Sequence, residues 1–293
     1  MNFLYDACDY LIINHYWKEF SMFNKLISIV LAMSSVGLLI GCSNDIVSVT
    51  GQTPVSAAWV GTNGATDVGC GGGNVFAVSK DLVGGGYKCY KWNSPSWTLF
   101  DGGLLRIDAD QNGHAWGVNQ YNYLYERTSN NTWIWHSEVN ALDVAIGDNG
   151  TRWIISDEAA DGGYCVKKWN GTTWAKPSIG GAGIRIAVDP AGNPWVVNNY
   201  SNLLTIVSGQ WYQYDVNGAA NNATDVGVGS DGTVWIISHE TVNGGYNIYK
   251  KVGSTFSNAH GGAIAISVNW TTPWVVNNGG YIFELVNGSW ISR

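Results

Sequence analysis

Charge is scarce in this chain and nowhere clustered. Only 13% of the 293 residues are Asp, Glu, Lys or Arg, the net charge is −7, and no basic run occurs. Nucleic-acid partners need grouped Lys and Arg, so they are excluded. Helical periodicity is also missing from the body of the chain, which argues against helical repeats. No Cys-x-x-Cys pair is present, so nothing supports a zinc site. No nucleophile elbow, metal-ligand spacing or paired-carboxylate motif appears, and His114, His136, His239 and His260 fall at unrelated positions, with His15 apart from them. The expectation is a protein without catalytic residues, metal or cofactor, although fold alone never excludes an enzyme.

What the chain has in abundance is Gly (38) and Trp (16). Gly serves turns and close approaches, and Trp fills space between sheets. Asp225 to Ser238 reads as two short apolar runs flanking Ser230-Asp231-Gly232-Thr233. Alternation before that turn and β-branched residues after it make a β-hairpin. The pattern recurs at Asp67, Arg106, Asp143, Arg185, Asp225 and Ala265, at a spacing of about 40 residues. Each copy continues with a third strand, such as Tyr87–Trp92 or Tyr246–Tyr249, and a fourth opened by Trp97, Trp133, Trp174, Trp211, Phe256 or Trp290. The predicted fold is all-β: a six-bladed β-propeller of four-stranded blades.

The repeat resembles the tectonin family. The resemblance rests on the Asp-Val-Gly-Val-Gly-x-Asp-Gly-Thr-Val-Trp hairpin, the alternating Gly-x-Pro-Trp-Val-Val-Asn partner, the Tyr strand followed by Asn-Gly, and the Trp about ten residues before the next unit. It covers the chain from about residue 59 to the end. It implies a tachylectin-like propeller lectin whose relatives bind envelope glycans, lipopolysaccharide or modified sugars.

Residues 1–42 read as a signal region. Lys25 precedes an apolar run from Leu26 to Ile40 that ends Leu39-Ile40-Gly41-Cys42. This is similar to the bacterial lipobox, which implies lipidation of Cys42, and Ser43 implies sorting to the outer membrane. Residues 1–21 carry Asp6, Asp9 and Glu19 where a signal should be basic, so synthesis is expected to start at Met22. Residues 43–54 are a polar tether and 55–293 the propeller, with Val55–Val60 expected to pair with the last blade and close the ring. Cys70 and Cys89 share a blade on strands that are not neighbours, roughly 10 Å apart, too far for a disulfide. With Cys165 they read as buried small hydrophobes.

Three groups of residues are candidates for function. Asp67, Arg106, Asp143, Arg185 and Asp225 begin the innermost strands, so their alternating charges should ring one channel mouth. Such a ring is either a set of ion pairs between blades or a site for a polar ligand. Ala265 breaks the alternation and leaves Asp225 under-compensated. Phe76, Trp116, Trp153, Trp195, Trp235 and Trp274 could be sugar platforms, but each meets a small residue (Gly69, Ala145, Ala187, Gly227) or a short polar one (Asp108, Ser267), which marks them as core. The loops between second and third strands carry the third group. Long, flexible loops in odd units offer Asp81 with Tyr87, Glu158 with Tyr164, and Glu240 with Tyr246; short loops in even units offer Asn119, Tyr121, Asn198, Asn199, Asn277 and Asn278. Acid, amide and aromatic face are what read a sugar. The sequence thus predicts a monomeric, lipid-anchored envelope protein with up to three equivalent glycan pockets on one face. The alternative is a protein-interaction scaffold of the envelope without sugar binding.

Overall fold

A computed structural model describes residues 60–293. The signal region, Cys42, the tether and Val55–Trp59 lie outside the described residues.

Each repeat folds as the hairpin pattern dictates. In the first, Ala65–Gly71, Asn74–Val83, Gly86–Asn93 and Ser96–Leu104 pair antiparallel in chain order. Within every unit the hairpin aromatic stands directly across from the small or short residue: Gly69 opposite Phe76, Asp108 opposite Trp116, Ala145 opposite Trp153, Ala187 opposite Trp195, Gly227 opposite Trp235, Ser267 opposite Trp274. The aromatics are between 0% and 7% exposed, so they are core. Burying each contributes on the order of 5 kcal/mol before entropy. The small partner is required because the next unit passes close behind it. A Cβ on Gly69 would fall 2.2 Å from the Ile107 carbonyl oxygen of the second unit.

Among the described residues the strands form four sheets of four and one of eight, with no helix. The larger sheet joins units two and three because one strand, Trp133–Ile146, is the outer strand of the former and the innermost strand of the latter. Its middle, His136 to Asn140, contains no glycine or proline to break it. The corresponding joint between units four and five turns at Asn217 and Gly218, with φ of 53° and 76°.

Innermost strands lie side by side and are latched by side chains. Asp67 accepts a hydrogen bond from Ile107 N (2.9 Å), Asp143 from Ile186 N (3.2 Å) and Asp225 from Ile266 N (3.0 Å). Asp108 accepts one from Ile146 N (2.8 Å), and Ser267 Oγ one from Cys70 N (3.0 Å). That last bond ties the final unit to the first. So does Ala65 N to Gly280 O at 2.8 Å, which repeats Ala141 N to Asn122 O (2.8 Å) and Ala223 N to Ser201 O (2.9 Å) at internal joints. Among the described residues the first and last sheets meet by these bonds and by packing of Trp92 and Trp97 on Trp274, not by a shared strand ladder.

Of the closing strand expected at Val55–Val60, only Val60 falls among the described residues. The last sheet takes its outer strand, Ser289–Ser292, from its own unit. Val60 is a bend residue, 1% exposed, packed in a cluster with Trp274, Val276 and Ile282. Cys70, Cys89 and Cys165 are free and buried. Burial pushes the Cys89 thiol up to about 12 and holds that of Cys70 protonated as well.

Candidate functional site

The expected flexible loops of the odd units are instead strand. Pairing continues outward to Val83 opposite Gly86, Ala160 opposite Gly163 and Val242 opposite Gly245. Only Gly84-Gly85, Asp161-Gly162 and Asn243-Gly244 remain as two-residue turns, the hairpin geometry that favours Asn-Gly and Asp-Gly. Each even unit's short loop grips the preceding hairpin tip: Gln120 N donates to Gly85 O (2.8 Å), Asn199 N to Gly162 O (2.9 Å) and Asn278 N to Gly244 O (2.9 Å). Odd hairpins and even loops therefore share one face, arranged as three related pairs.

Most polar groups expected to read a sugar are committed to holding this face together. Asn119 Oδ1 accepts from Tyr121 N (2.9 Å) and Tyr123 N (3.0 Å), Asn198 Oδ1 from Tyr200 N (3.0 Å) and Asn202 N (2.9 Å), and Asn277 Oδ1 from Tyr281 N (2.9 Å). These are Asx turns. Asp81 accepts from Thr62 Oγ1 (2.6 Å), Thr62 N (2.8 Å) and Asn63 Nδ2 (2.6 Å), and the Thr62 bonds lower its pKa. Glu158 meets Lys176 and Lys167, with Lys176 the main cause of its lowered pKa. Glu240 accepts four bonds, from Tyr249 OH (2.6 Å), Asn217 (2.9 Å), Asn247 (3.0 Å) and Asn222 (3.0 Å), and these hold its carboxyl down at about 2. Tyr121 and the side chains of Asn199 and Asn278 stay exposed.

The three odd–even joints share a frame but not a surface. In each, an indole of the even unit donates to the odd unit's outer strand or the turn after it: Trp133 Nε1 to Asp101 O (3.1 Å), Trp211 Nε1 to Gly180 O (3.0 Å) and Trp290 Nε1 to Ala259 O (3.3 Å). Beyond the indole the register assigns Tyr125 and its partner Trp135 to the first joint, Leu204 and Gln213 to the second, Phe283 and Ser292 to the third. Only the first joint is aromatic throughout. Its rings run Tyr121, Tyr123, Trp135, with centroids 5.9 and 4.9 Å apart, and Trp135 and Tyr121 are 50% and 58% exposed. Beside them a cleft of about 180 Å³ is lined by Gly84, Gly85, Gly102 and Gly103 on one side and by Tyr125 and Trp133 on the other. Trp135, Tyr123 and Tyr125 were not singled out from the sequence. The signal was there in Trp133-Ile134-Trp135, where the other even units place Gln213 and Ser292 at the third position.

The structure brings Asp67, Arg106, Asp143, Arg185 and Asp225 to one cavity. Arg106 lies 3.4 Å from Asp67, and Arg185 Nε reaches forward to Asp225 (3.8 Å). With Asp108 they line a channel cavity of about 60 Å³. Burial raises the pKa of Asp143 to about 6 and of Asp225 to about 7, against the opposing pull of Arg185 and Arg106. Burial raises Asp67 and Asp108 too. Ala265, 1% exposed, supplies no third cation. Above the channel a basin of about 410 Å³ opens between Arg106, Arg185, Tyr87, Tyr164 and Asn119. Tyr246 has no part in it; its ring meets His239 (6.3 Å), whose Nε2 is 2.5 Å from Ser201 Oγ. Among the described residues no three His, Cys, Asp or Glu side chains gather as a metal set.

No protein-family model matches the chain, and no curated protein matches it in sequence. Solved structures do. Virginiamycin B lyase from Staphylococcus aureus aligns at TM-score 0.52 and 12% identity over 79% of this chain and 84% of that one. A candidate gluconolactonase aligns at 0.55 and 11% over 80% and 90%. YCF48 bound to a D1 peptide aligns at 0.50 and 15% over 83% and 86%. Two of these carry the names of enzymes, so the fold leaves catalysis open. Likeness at such identity speaks to architecture alone: the chain is an all-β protein of β-propeller fold, built from antiparallel four-stranded sheets.

Proposed function

We propose that the chain is a six-bladed, tectonin-type propeller that acts by binding glycan, not by catalysis, and that the joint between its first and second units is the working pocket. The observation that carries this is a glycine-lined cleft of about 180 Å³ bounded by Tyr125 and Trp133, with Trp135, the strand partner of Tyr125, and the rings of Tyr123 and Tyr121 continuing from it. Rings offer a face for a sugar's CH groups, and the unobstructed glycine backbone offers carbonyls and amides to its hydroxyls. The like bonding at the last-to-first joint and at internal joints supports a ring of six. The lipobox-like Cys42 supports display on the bacterial envelope as a lipid-anchored monomer, with the outer membrane as its place.

The full chain in detergent micelles, applied to a glycan array and then titrated with the best neutral oligosaccharide, tests the reading. Trp135→Ala should weaken binding at least about tenfold, the loss of about 1.4 kcal/mol. Binding that ignores Trp135→Ala would remove the cleft from consideration. A second reading rests on the same wall. Trp135 and Tyr121 present exposed aromatic surface, and one structural neighbour holds a peptide. An empty array together with a stoichiometric envelope protein captured by the wild type but not by Trp135→Ala would establish that scaffold reading.

A further inference from the structure

The basin over the channel differs in chemistry from the cleft. The cleft is lined by glycine backbone and aromatic rings, while the basin holds two guanidinium groups. A guanidinium carries five N–H donors in a planar fork. Arg106 uses one of them, on Asp67 at 3.4 Å. Arg185 gives Nη1 to Ile184 O (2.8 Å) and leans on Asp225 at 3.8 Å. Their side chains are 24% and 27% exposed, and both line the basin. The rest of the lining is apolar at Leu105, Val118, Leu142 and Ile184 and polar at Thr66, Asn119 and Asn122, with Tyr87 and Tyr164 contributed by units one and three. Spare donors from two cations, apolar walls and flanking phenols suit a small body bearing one acidic group.

We propose that this basin is a second binding site, for a small organic ligand carrying a carboxylate or phosphate, with Arg106 and Arg185 taking the oxyanion and Tyr87 and Tyr164 flanking the body. The acids beneath would oppose an anion if all were ionised. Asp67, Asp108, Asp143 and Asp225 line the channel under the two arginines, and no other charged side chain lines either cavity. Burial makes each of the four hold its proton to higher pH than usual. An arriving negative charge strengthens that tendency, so binding takes up protons and tightens as the pH falls. The basin adjoins the neutral-glycan cleft at Asn119, which lines both, and takes its anion on residues that the cleft lacks.

Calorimetric titration of the full chain in micelles with glucuronate, glucose 6-phosphate and glucose tests this. Both acids, or one of them, should bind, with glucose at least about tenfold weaker, and affinity should rise from pH 8 to pH 6 with measurable proton uptake. Glucuronate alone binding would assign a planar carboxylate, and glucose 6-phosphate alone a phosphate. Arg185→Gln and Arg106→Gln should each cost at least about tenfold. If either fails to fold, Ile184→Trp, which fills the basin, should abolish binding instead. Equal binding of glucose, indifference to all three variants, or loss on Trp135→Ala would overturn the proposal, the last by placing the ligand in the cleft.

Discussion

Asp225 offers a direct measurement of the electrostatics at the channel. Its side chain is 10% exposed, takes main-chain bonds from Val226 N and Ile266 N (both 3.0 Å), and has Arg185 at 3.8 Å but no arginine from the following unit, where Ala265 stands. Burial lifts it from the ordinary 3.8 to about 7. The folded carboxyl thus keeps its proton to a higher pH than the unfolded one. Its contribution to stability is complete below about pH 4 and is lost as pH rises through about 7. A rise of that size is about 4 kcal/mol in all, of which about 3 kcal/mol falls between pH 5 and pH 8. Asp225→Asn cannot ionise. It keeps one acceptor for the two main-chain donors and loses the other, a cost of about 1–3 kcal/mol that does not vary with pH. The variant should therefore gain about 3 kcal/mol on wild type between pH 5 and pH 8, from close to or below it to above it. Urea unfolding of both proteins at the two pH values reads the change in their difference. A difference that stays constant from pH 5 to pH 8, or that shifts in favour of wild type, would refute the account of a strained, under-compensated acid.

The repeat makes two further outcomes sharp. Gly69 and Gly227 are the same position in units one and five, yet Gly69→Ala drives its Cβ to 2.2 Å from backbone oxygen while Gly227→Ala brings it only to 3.2 Å from the Val268 side chain. The first should lose more than about 3 kcal/mol and the second under about 1 kcal/mol in chemical denaturation, and similar losses would disprove the packing argument. Trp270 sits at φ 55° in the tight turn of the last inner hairpin, 54% exposed, where a left-handed backbone suits glycine. Trp270→Gly should raise the melting temperature by a few degrees, about 1 kcal/mol, and a fall would show that the indole contributes contacts that outweigh the strain.

The shared features of the units were legible in the sequence, and the differences between them were not. Phe76 to Trp274 recur in one column because every unit needs the same wedge filled, so a repeated pattern and a buried aromatic are a single fact. Likewise the small residues at Gly69 and Gly227 announce a close neighbour. The roles of Asp81, Glu158 and Glu240 could not be read this way. An acid before a Gly-Gly turn looks the same whether it faces solvent or clasps Thr62, Lys176 or Asn222, since the donors come from other stretches of chain whose distance depends on register. The hairpin extension past Ser79 was hidden by a bulge, where pairing shifts between Val78 and Leu82 and the alternation of faces is lost. The first joint's aromatic wall is spread over Tyr121, Tyr123, Tyr125 and Trp135, and only strand pairing and ring contacts show that these belong together.

The unbroken strand from Trp133 to Ile146 has a mechanical meaning. A fluctuation that prises two neighbouring sheets apart can part most of them by loosening side-chain latches and a turn. Between units two and three it meets one continuous strand, paired into unit two as far as Asn140 and into unit three from Ala141 on, with no loop to serve as a hinge. Those two units should breathe as one body, and the aromatic wall built on the first half of that strand inherits the rigidity of the pair.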